Sequence, residues 1–326
     1  MDEHSPEVIT AIRATVMAAE LCQRVRRELA GVEPILKGDR SPVTIADFGS
    51  QAVICKLIKE KFPNDVIVAE EDSKELRTPA RSKILEQVTR HVGNFIPEAS
   101  PEKVCSWIDY RSHTLQKRFW TLDPIDGTKG FIRGDQYAIA FALIEKRAVK
   151  FGLMACPNLH LDKDQPQGKR GCLFLAIKGK GSFQMDLQGG NKQLLSASKT
   201  KAPSEAVFTE SVELDHADHL FHQRLARKLN IAKPSLRIDS QAKYGIVARG
   251  EATFYLRVPS PWEPGYKENI WDHAAGSIIA EEAGGKVTDT LGNPLDFFSG
   301  IKMNKNHGIL VTNGVLHDIV LKALKM

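Results

Sequence analysis

A chain of 326 residues, 42% hydrophobic and 26% charged, is long enough for one large domain or two ordinary ones and has the balance of a soluble globular protein. Its net charge of +5 is spread over 45 basic and 40 acidic residues with no basic arm and no aromatic-interleaved basic motif, which argues against nucleic-acid binding. No apolar run approaches the ~20 residues of a membrane helix, MDEHSPEV carries no hydrophobic signal region, and five unevenly spaced cysteines form neither a disulfide framework nor a zinc pattern. A non-secreted protein of a reducing compartment, cytoplasmic or organellar, is expected.

In chain order, Ser5 and Pro6 supply an N-cap and a first-turn proline for a helix with an apolar stripe of Val8, Ile9, Ile12, Val16, Ala19 and Leu29, ending at Gly31. After the turn-rich GDRSP a second helix is predicted over residues 45–61, stopped by Pro63. DVIVAEED reads as a short buried strand running into acids. Residues 73–118 are polar and aperiodic, with one helix expected near 84–92 inside an irregular excursion. RFWTL returns to a strand. YAIAFALIEKRAVKFGLMAC and GCLFLAIKGKGSFQM read as hairpins turning at 145–147 and 178–181.

The Gly-rich LQGGNKQ is the candidate boundary between an N-terminal α/β domain, residues 1–190, and a C-terminal one, residues 191–326. Beyond it VFTES and SLRID are strands followed by helices near 219–229 and 241–249. Then come the strand ATFYLRV, a helix over 271–283, a hairpin turning at LGNP, the strand GILVTN and a last helix. Strands with helices between and around them imply a layered, α+β architecture.

The densest chemistry lies in WTLDPIDGTKGF, residues 120–131. A buried strand is stopped by Pro124, so Asp123 sits where it emerges. Asp126-Gly127 makes a turn, and Thr128 opens a helix or turn whose free amides attract anions. Carboxylates beside such amides are compatible only if cations intervene. A hard divalent ion such as Mg²⁺, held by carboxylates and by a substrate's phosphate oxygens, meets that need. Without a ligand, Asp-Pro and Asp-Gly are plain turn dipeptides, Glu70 and Glu71 a surface pair, and Asp47 and Asp272 helix N-caps. Their shared feature is position: each acid lies at the edge of a hydrophobic element, where a layered fold would gather them in one crevice.

SPVTIADFGSQA, VAEEDS, LDPIDGTKGF and IWDHAAG together resemble the lithium-sensitive, magnesium-dependent phosphatase superfamily that includes inositol monophosphatase. With GTKGFIRGDQYAIAFALIE, ACPNL, IDSQAKYG, ATFYLR and KENIWDHAAG the resemblance narrows to the 3′(2′),5′-bisphosphate nucleotidases and covers nearly the whole chain, weakest over 73–118 and 157–170. The resemblance implies a two-domain αβαβα sandwich. By it, Glu70, Asp123, Asp126, Asp272 and the Ile125 carbonyl oxygen would hold two or three Mg²⁺ ions, while Asp47 and Thr128 would orient and deprotonate the attacking water. Ser240 and Lys243 in IDSQAKYG, Arg257 in YLR, and His216 in ESVELDHADH, with His219 its alternative, carry over as nucleotide contacts; Thr128 and Asp272 would also face the substrate.

The substrate so implied is a small nucleotide, adenosine 3′,5′-bisphosphate, hydrolysed at its 3′-phosphate to AMP, together with its sulfated relative. An inositol phosphate phosphatase and a non-catalytic nucleotide sensor are the rival readings. Neither nucleic acid nor membrane is an expected partner, and the state is monomer or homodimer. Taken alone, Lys243 is equally a surface lysine and Arg257 a strand-edge charge; a second, non-reacting phosphate would give both a task. Cys156 in LMACPN and Cys172 in GCLF flank a polar loop. They are ordinary core thiols on the plain reading and a reversible disulfide on the sharper one.

Overall fold

The computed structural model describes residues 1–28, 35, 36, 42, 43, 45–165, 167–212, 219–258 and 265–325. Helices α1 (Pro6–Glu28) and α2 (Ile45–Lys61) flank a short antiparallel pair, β1 (Ile35–Leu36) and β2 (Pro42–Val43). A seven-stranded sheet follows in sequential order: β3 (Val66–Ala69), β4 (Arg118–Asp126), β5 (Ala138–Glu145), β6 (Ala148–His160), β7 (Arg170–Ile177), β8 (Gly181–Asp186) and β9 (Gln193–Leu194). Its one parallel pair is β3–β4, whose crossover carries α3 (Ser82–Gly93) and α4 (Pro101–Ile108). Helix α5 (Thr128–Arg133) joins β4 to β5.

The second sheet is built from β10 (Phe208–Glu210), β11 (Leu236–Arg237), β12 (Phe254–Arg257), β13 (Lys286–Thr288) and β14 (Ile309–Thr312), in the order β11-β10-β12-β14-β13. Helices α6 (His219–Lys228), α7 (Ala242–Ala248), α8 (Ala274–Glu282) and α9 (His317–Leu324) complete the chain.

Strand periodicity explains the layering. On β5, Ile139, Phe141 and Leu143 face α1 and α2, while Ala138, Ala140, Ala142 and Ile144 face the core shared with α7 and α8. On β12, Tyr255 joins that same shared core, and Phe254 and Leu256 turn to Leu225 of α6 and Val320 of α9. Both sheets are therefore buried on both faces, which is why their strands read as near-continuous apolar runs. The result is an αβαβα sandwich. Small residues set the closest approach: a Cβ on Gly152 would lie 2.4 Å from Ile278 Cγ2 and 2.8 Å from the Ala275 carbonyl oxygen.

Several expectations need correction. Ile9 is 55% exposed and lies off the buried stripe, and Leu29 and Gly31 fall outside the described residues. Helix α4 was not expected, although Ser100-Pro101 repeats the Ser5-Pro6 signal; Ser100 Oγ accepts the Lys103 N–H at 3.3 Å. The helix expected over 271–283 is divided into a 3₁₀ turn, Ile270–Asp272, and α8. LGNP does turn, around a buried Asp289 that accepts the Leu291 and Asn293 amides, yet the strand that pairs with β13 is the distant β14. LQGGNKQ forms the β8–β9 turn, so the large sheet closes at Gln193–Leu194, just past residue 190.

His317 ties α9 to the second sheet. Thr288 Oγ1 donates to the Asp289 carbonyl (2.7 Å), so it accepts from His317 Nε2 (3.0 Å). Thr312 Oγ1 accepts the Gly314 amide (3.1 Å) and lies 3.0 Å from His317 Nδ1. Burial, the largest cause, favours the neutral imidazole and pushes the His317 pKa down to about 4. The unfolded chain takes up a proton below about pH 6.5. Stability from this group is therefore present above that value and lost as pH falls toward 4, by at most ~3 kcal/mol. Urea unfolding at pH 7 and pH 4.5 should show the loss, and His317→Asn should remove its pH dependence.

Candidate active site

Helix α2 is buried on nearly all sides, and its polar side chains Asp47, Ser50 and Gln51 share one face by their spacing of three and four residues. Ser50 Oγ donates to the Pro124 carbonyl at 3.0 Å. Gln51 Nε2 donates to the Glu71 and Ile108 carbonyls (2.7 and 2.9 Å), and its Oε1 accepts the Glu71 amide at 2.9 Å. One helical face thus positions the ends of both acid-bearing strands. Arg111 adds a bond to the Glu70 carbonyl at 2.9 Å and one to Asp72 Oδ2 at 2.9 Å. Gln51→Leu would leave the Glu71 amide and two buried carbonyls unsatisfied, so it should destabilise the fold by roughly 2–4 kcal/mol, read from urea unfolding.

Because β3 and β4 are parallel, with Ala69 in register with Leu122, their next residues, Glu70 and Asp123, lie at the same end of that pair, where β3 stops and β4 continues beside β5. Asp123 and Asp126 are three apart and would fall on opposite faces of a regular strand. A register shift between them, across Pro124 and Ile125, turns both toward one cavity of about 210 Å³. Asp126 Oδ2 accepts the Gln241 amide at the start of α7 (2.5 Å). Asp272, in the 3₁₀ turn, accepts the Asn269 amide and side chain through Oδ2, both at 3.1 Å. Glu70, Asp123, Ile125, Asp126, Thr128 and Asp272 all line the cavity.

This wall is electrostatically uncomfortable. Burial first, then Glu70, Asp126, Asp272 and Asp47, push the Asp123 carboxyl well above its usual range. Burial, then Glu268, Glu70 and Asp126, do the same to Asp272. Asp126 is raised by burial, with Lys243 and the Gln241 amide pulling the other way. Asp123 Oδ1 is buried and has no hydrogen-bond partner among the described residues. A hard cation would satisfy that oxygen and relieve the repulsion, so the all-oxygen donor set fits Mg²⁺.

The Thr128 hydroxyl donates to the Ile125 carbonyl at 3.2 Å, and Asp47 is buried in the first turn of α2, its charge acting on Asp123.

Ser240, Lys243 and Arg257 line the same cavity. Lys243 is buried, not a surface lysine. Its Nζ donates to the Ile238 carbonyl (3.2 Å), it lies 5.3 Å from the Tyr255 ring centroid, and burial lowers its pKa to about 8. Arg257 ends the central strand of its sheet, not an edge strand, and its Nε donates to Glu268 Oε1 at 2.6 Å. Ser240 holds a left-handed backbone (φ 68°) directly before α7, with its Oγ accepting the Ala242 amide at 3.2 Å. His216 lies outside the described residues, and His219 is the first residue of α6.

Cys156 and Cys172 are register partners on β6 and β7, away from the cavity lining. Facing positions on adjacent antiparallel strands have Cα separations within disulfide range. Both thiols are free and buried, Cys172 donating to the His160 carbonyl at 3.2 Å. Burial raises Cys156 well up and Cys172 to about 12, which keeps both protonated and slow in thiol exchange.

Residues not singled out from sequence also shape the site: Asp239, which accepts Arg133 Nη2 at 2.5 Å, and Tyr244, Tyr255, Tyr266 and His273 in the lining. Glu268, Asp272 and His273 offer ligand atoms within 4.8 Å of one another. Glu268 is already bonded to Arg257 and His273, and His273 also to Tyr244, so an ion there would have to break those bonds. Charge in KENIWDH was the available signal for Glu268.

Comparison with known proteins agrees with this geometry. The sequence profile described as the inositol monophosphatase family matches residues 4–325. A protein of Oryza sativa named 3′(2′),5′-bisphosphate nucleotidase is 43% identical, over 99% of this chain and 94% of its own. One of the same name from Dictyostelium discoideum is 39% identical, over 97% and 95%. Among solved structures, the fold is similar to a Thermotoga maritima IMPase (TM-score 0.66, 21% identity, 98% and 97% covered). It is also similar to the extragenic suppressor protein suhB of Bartonella henselae (TM-score 0.68, 19% identity, 98% and 99% covered). The chain belongs to the inositol monophosphatase family.

Proposed function

We propose that this chain is a Mg²⁺-dependent phosphatase that removes the 3′-phosphate of adenosine 3′,5′-bisphosphate, giving AMP and phosphate, and acts likewise on the sulfated relative of that nucleotide. The observation that carries the reading is a cavity of two signs. Glu70, Asp123, Asp126 and Asp272 line it together with two cations, the buried Lys243 and the half-buried Arg257. The names of the relatives support the same substrate class.

Glu70, Asp123, Asp126, Asp272 and the Ile125 carbonyl oxygen would hold two or three Mg²⁺ ions. When bound, these ions offset the phosphate's charge and make water nucleophilic at neutral pH. Asp47, with the Thr128 hydroxyl beside the Ile125 carbonyl, would orient the attacking water and accept its proton. Lys243 and Arg257 would hold the non-reacting phosphate, Arg257 through a two-point contact, so that binding energy remote from the reacting bond fixes the scissile phosphate in line. The cleft would lie between the N-terminal part, carrying most acids, and the C-terminal part, carrying Asp272 and the cations.

The test is a substrate panel with and without Mg²⁺. Adenosine 3′,5′-bisphosphate should have a kcat/KM at least about 100-fold above that of inositol 1-phosphate, since the latter leaves the second-phosphate contacts unused. Preference for inositol 1-phosphate would overturn the assignment, and absence of turnover with either would favour a binding protein.

A further inference from the structure

One half-buried carboxylate, that of Glu268, ties three elements together beside the cations of the cavity. Arg257 Nε, at the end of β12, donates to Glu268 Oε1 at 2.6 Å. His273 Nε2, just before α8, lies 3.3 Å from Glu268 Oε2, and His273 Nδ1 lies 2.8 Å from the Tyr244 hydroxyl on α7. An ionised carboxylate only accepts, so His273 donates through Nε2, which leaves Nδ1 to accept from Tyr244. Every hydrogen in the chain from Tyr244 through His273 and Glu268 to Arg257 then has one direction. The Glu268 backbone is anchored as well, since its carbonyl accepts the Met303 amide at 2.8 Å.

The consequence lies in what Arg257 has left to offer. With Nε committed to Glu268, the planar guanidinium cannot rotate about its stem without breaking that bond, and its two amino groups carry the remaining N–H donors. Arg257 lines the cavity, whereas Glu268 stands behind it and is not part of the lining. Tyr244 packs edge-on to Tyr255, ring centroids 5.4 Å apart, and Tyr255 in turn lies under Lys243. The same network therefore braces both cations.

We propose that Glu268 is a positioning residue for substrate selectivity. Held by His273 and Tyr244, it aims Arg257 at the second, non-reacting phosphate, so that the preference for a bisphosphate over a monophosphate depends on this side chain without its touching the substrate. This inference rests on the function proposed above and adds the residue that sets its specificity.

The experiment measures kcat and KM for adenosine 3′,5′-bisphosphate and for inositol 1-phosphate in the wild type, Glu268→Gln, Arg257→Gln and the double variant. In Glu268→Gln the KM for the bisphosphate should rise about 10-fold or more, kcat should fall less than that, and the ratio of the two kcat/KM values should drop by about 10-fold. The double variant should be no worse than Arg257→Gln alone, because Glu268 acts through Arg257. Additive losses, or an equal fall for both substrates, would overturn the proposal even where the wild type prefers the bisphosphate. A wild type that prefers inositol 1-phosphate would instead overturn the function beneath it. Should Glu268→Gln fail to fold, Tyr244→Phe at the far end of the chain decides the matter: a reduced selectivity ratio supports the proposal, and an unchanged one rejects it.

Discussion

Asp123→Asn should reduce Mg²⁺-dependent phosphate release by at least about 1,000-fold and leave the metal-free protein more stable than the wild type. The two effects have one cause. Asp123 is 2% exposed, its Oδ1 has no partner among the described residues, and four further acids press on it. An uncompensated buried charge is costly unless it is paired or neutralised. Asparagine keeps the shape and removes the charge, so relief of ~1–3 kcal/mol is expected without metal. A thousandfold loss of rate corresponds to about 4 kcal/mol of transition-state stabilisation, a reasonable share for a carboxylate that anchors cations against a phosphate. Phosphate release and the urea midpoint, measured on the same preparation, check both halves. An active variant would remove Asp123 from the chemistry. A variant destabilised by more than about 2 kcal/mol would show that its charge is already satisfied.

The acids were legible because their signals are local. Gly127 makes a turn and an apolar stretch ends at Glu70, so these carboxylates could be placed at an element's edge from a few neighbouring residues. Pro124, however, disturbs the register of β4 rather than stopping it, and the strand runs on to Asp126. Helix α2 was equally plain between GDRSP and Pro63. What stayed hidden depends on contacts distant in sequence. Gln51 looks like any polar residue on a helix until its amide is seen spanning to Glu71 and Ile108, 20 and 57 positions away. The burial of Lys243 and the central place of Arg257 could not be read, because both follow from a strand order, β11-β10-β12-β14-β13, in which β12 becomes central. Ile9 shows the reverse error: apolar spacing marks a helix face, yet nothing local says where that face leaves its partner. Helix α4 was missed for a weaker reason, since the Ser100-Pro101 cap was present and the polar surroundings outweighed it.

Mg²⁺ and protons should act on this site with the same sign, and competition between them is the sharpest evidence for a cation cage. Without metal, the carboxyls of Asp123, Asp126 and Asp272 are raised from an ordinary value of 3.8. The folded chain therefore binds more protons than the unfolded one over the interval between 3.8 and the raised values. Stability from these groups is complete below about pH 4 and is lost as pH rises through the raised values toward neutrality. His317 contributes with the opposite sign over pH 4 to 6.5, so the comparison is best made in a His317→Asn background. There the metal-free protein should weaken between pH 4.5 and pH 7. Saturating Mg²⁺ at pH 7 should restore stability by about 2.7 kcal/mol at a concentration 100 times its Kd. At pH 4.5 the raised carboxyls of Asp123, Asp126 and Asp272 hold more protons than at pH 7, and the same Mg²⁺ should do less. Asp123→Asn should flatten the metal-free slope and shrink the Mg²⁺ response together, because both draw on one repulsive cluster. If Mg²⁺ stabilised the protein equally at both pH values, or if Asp123→Asn left that response intact, the ions would be binding elsewhere on the surface and the acidic wall would need another explanation.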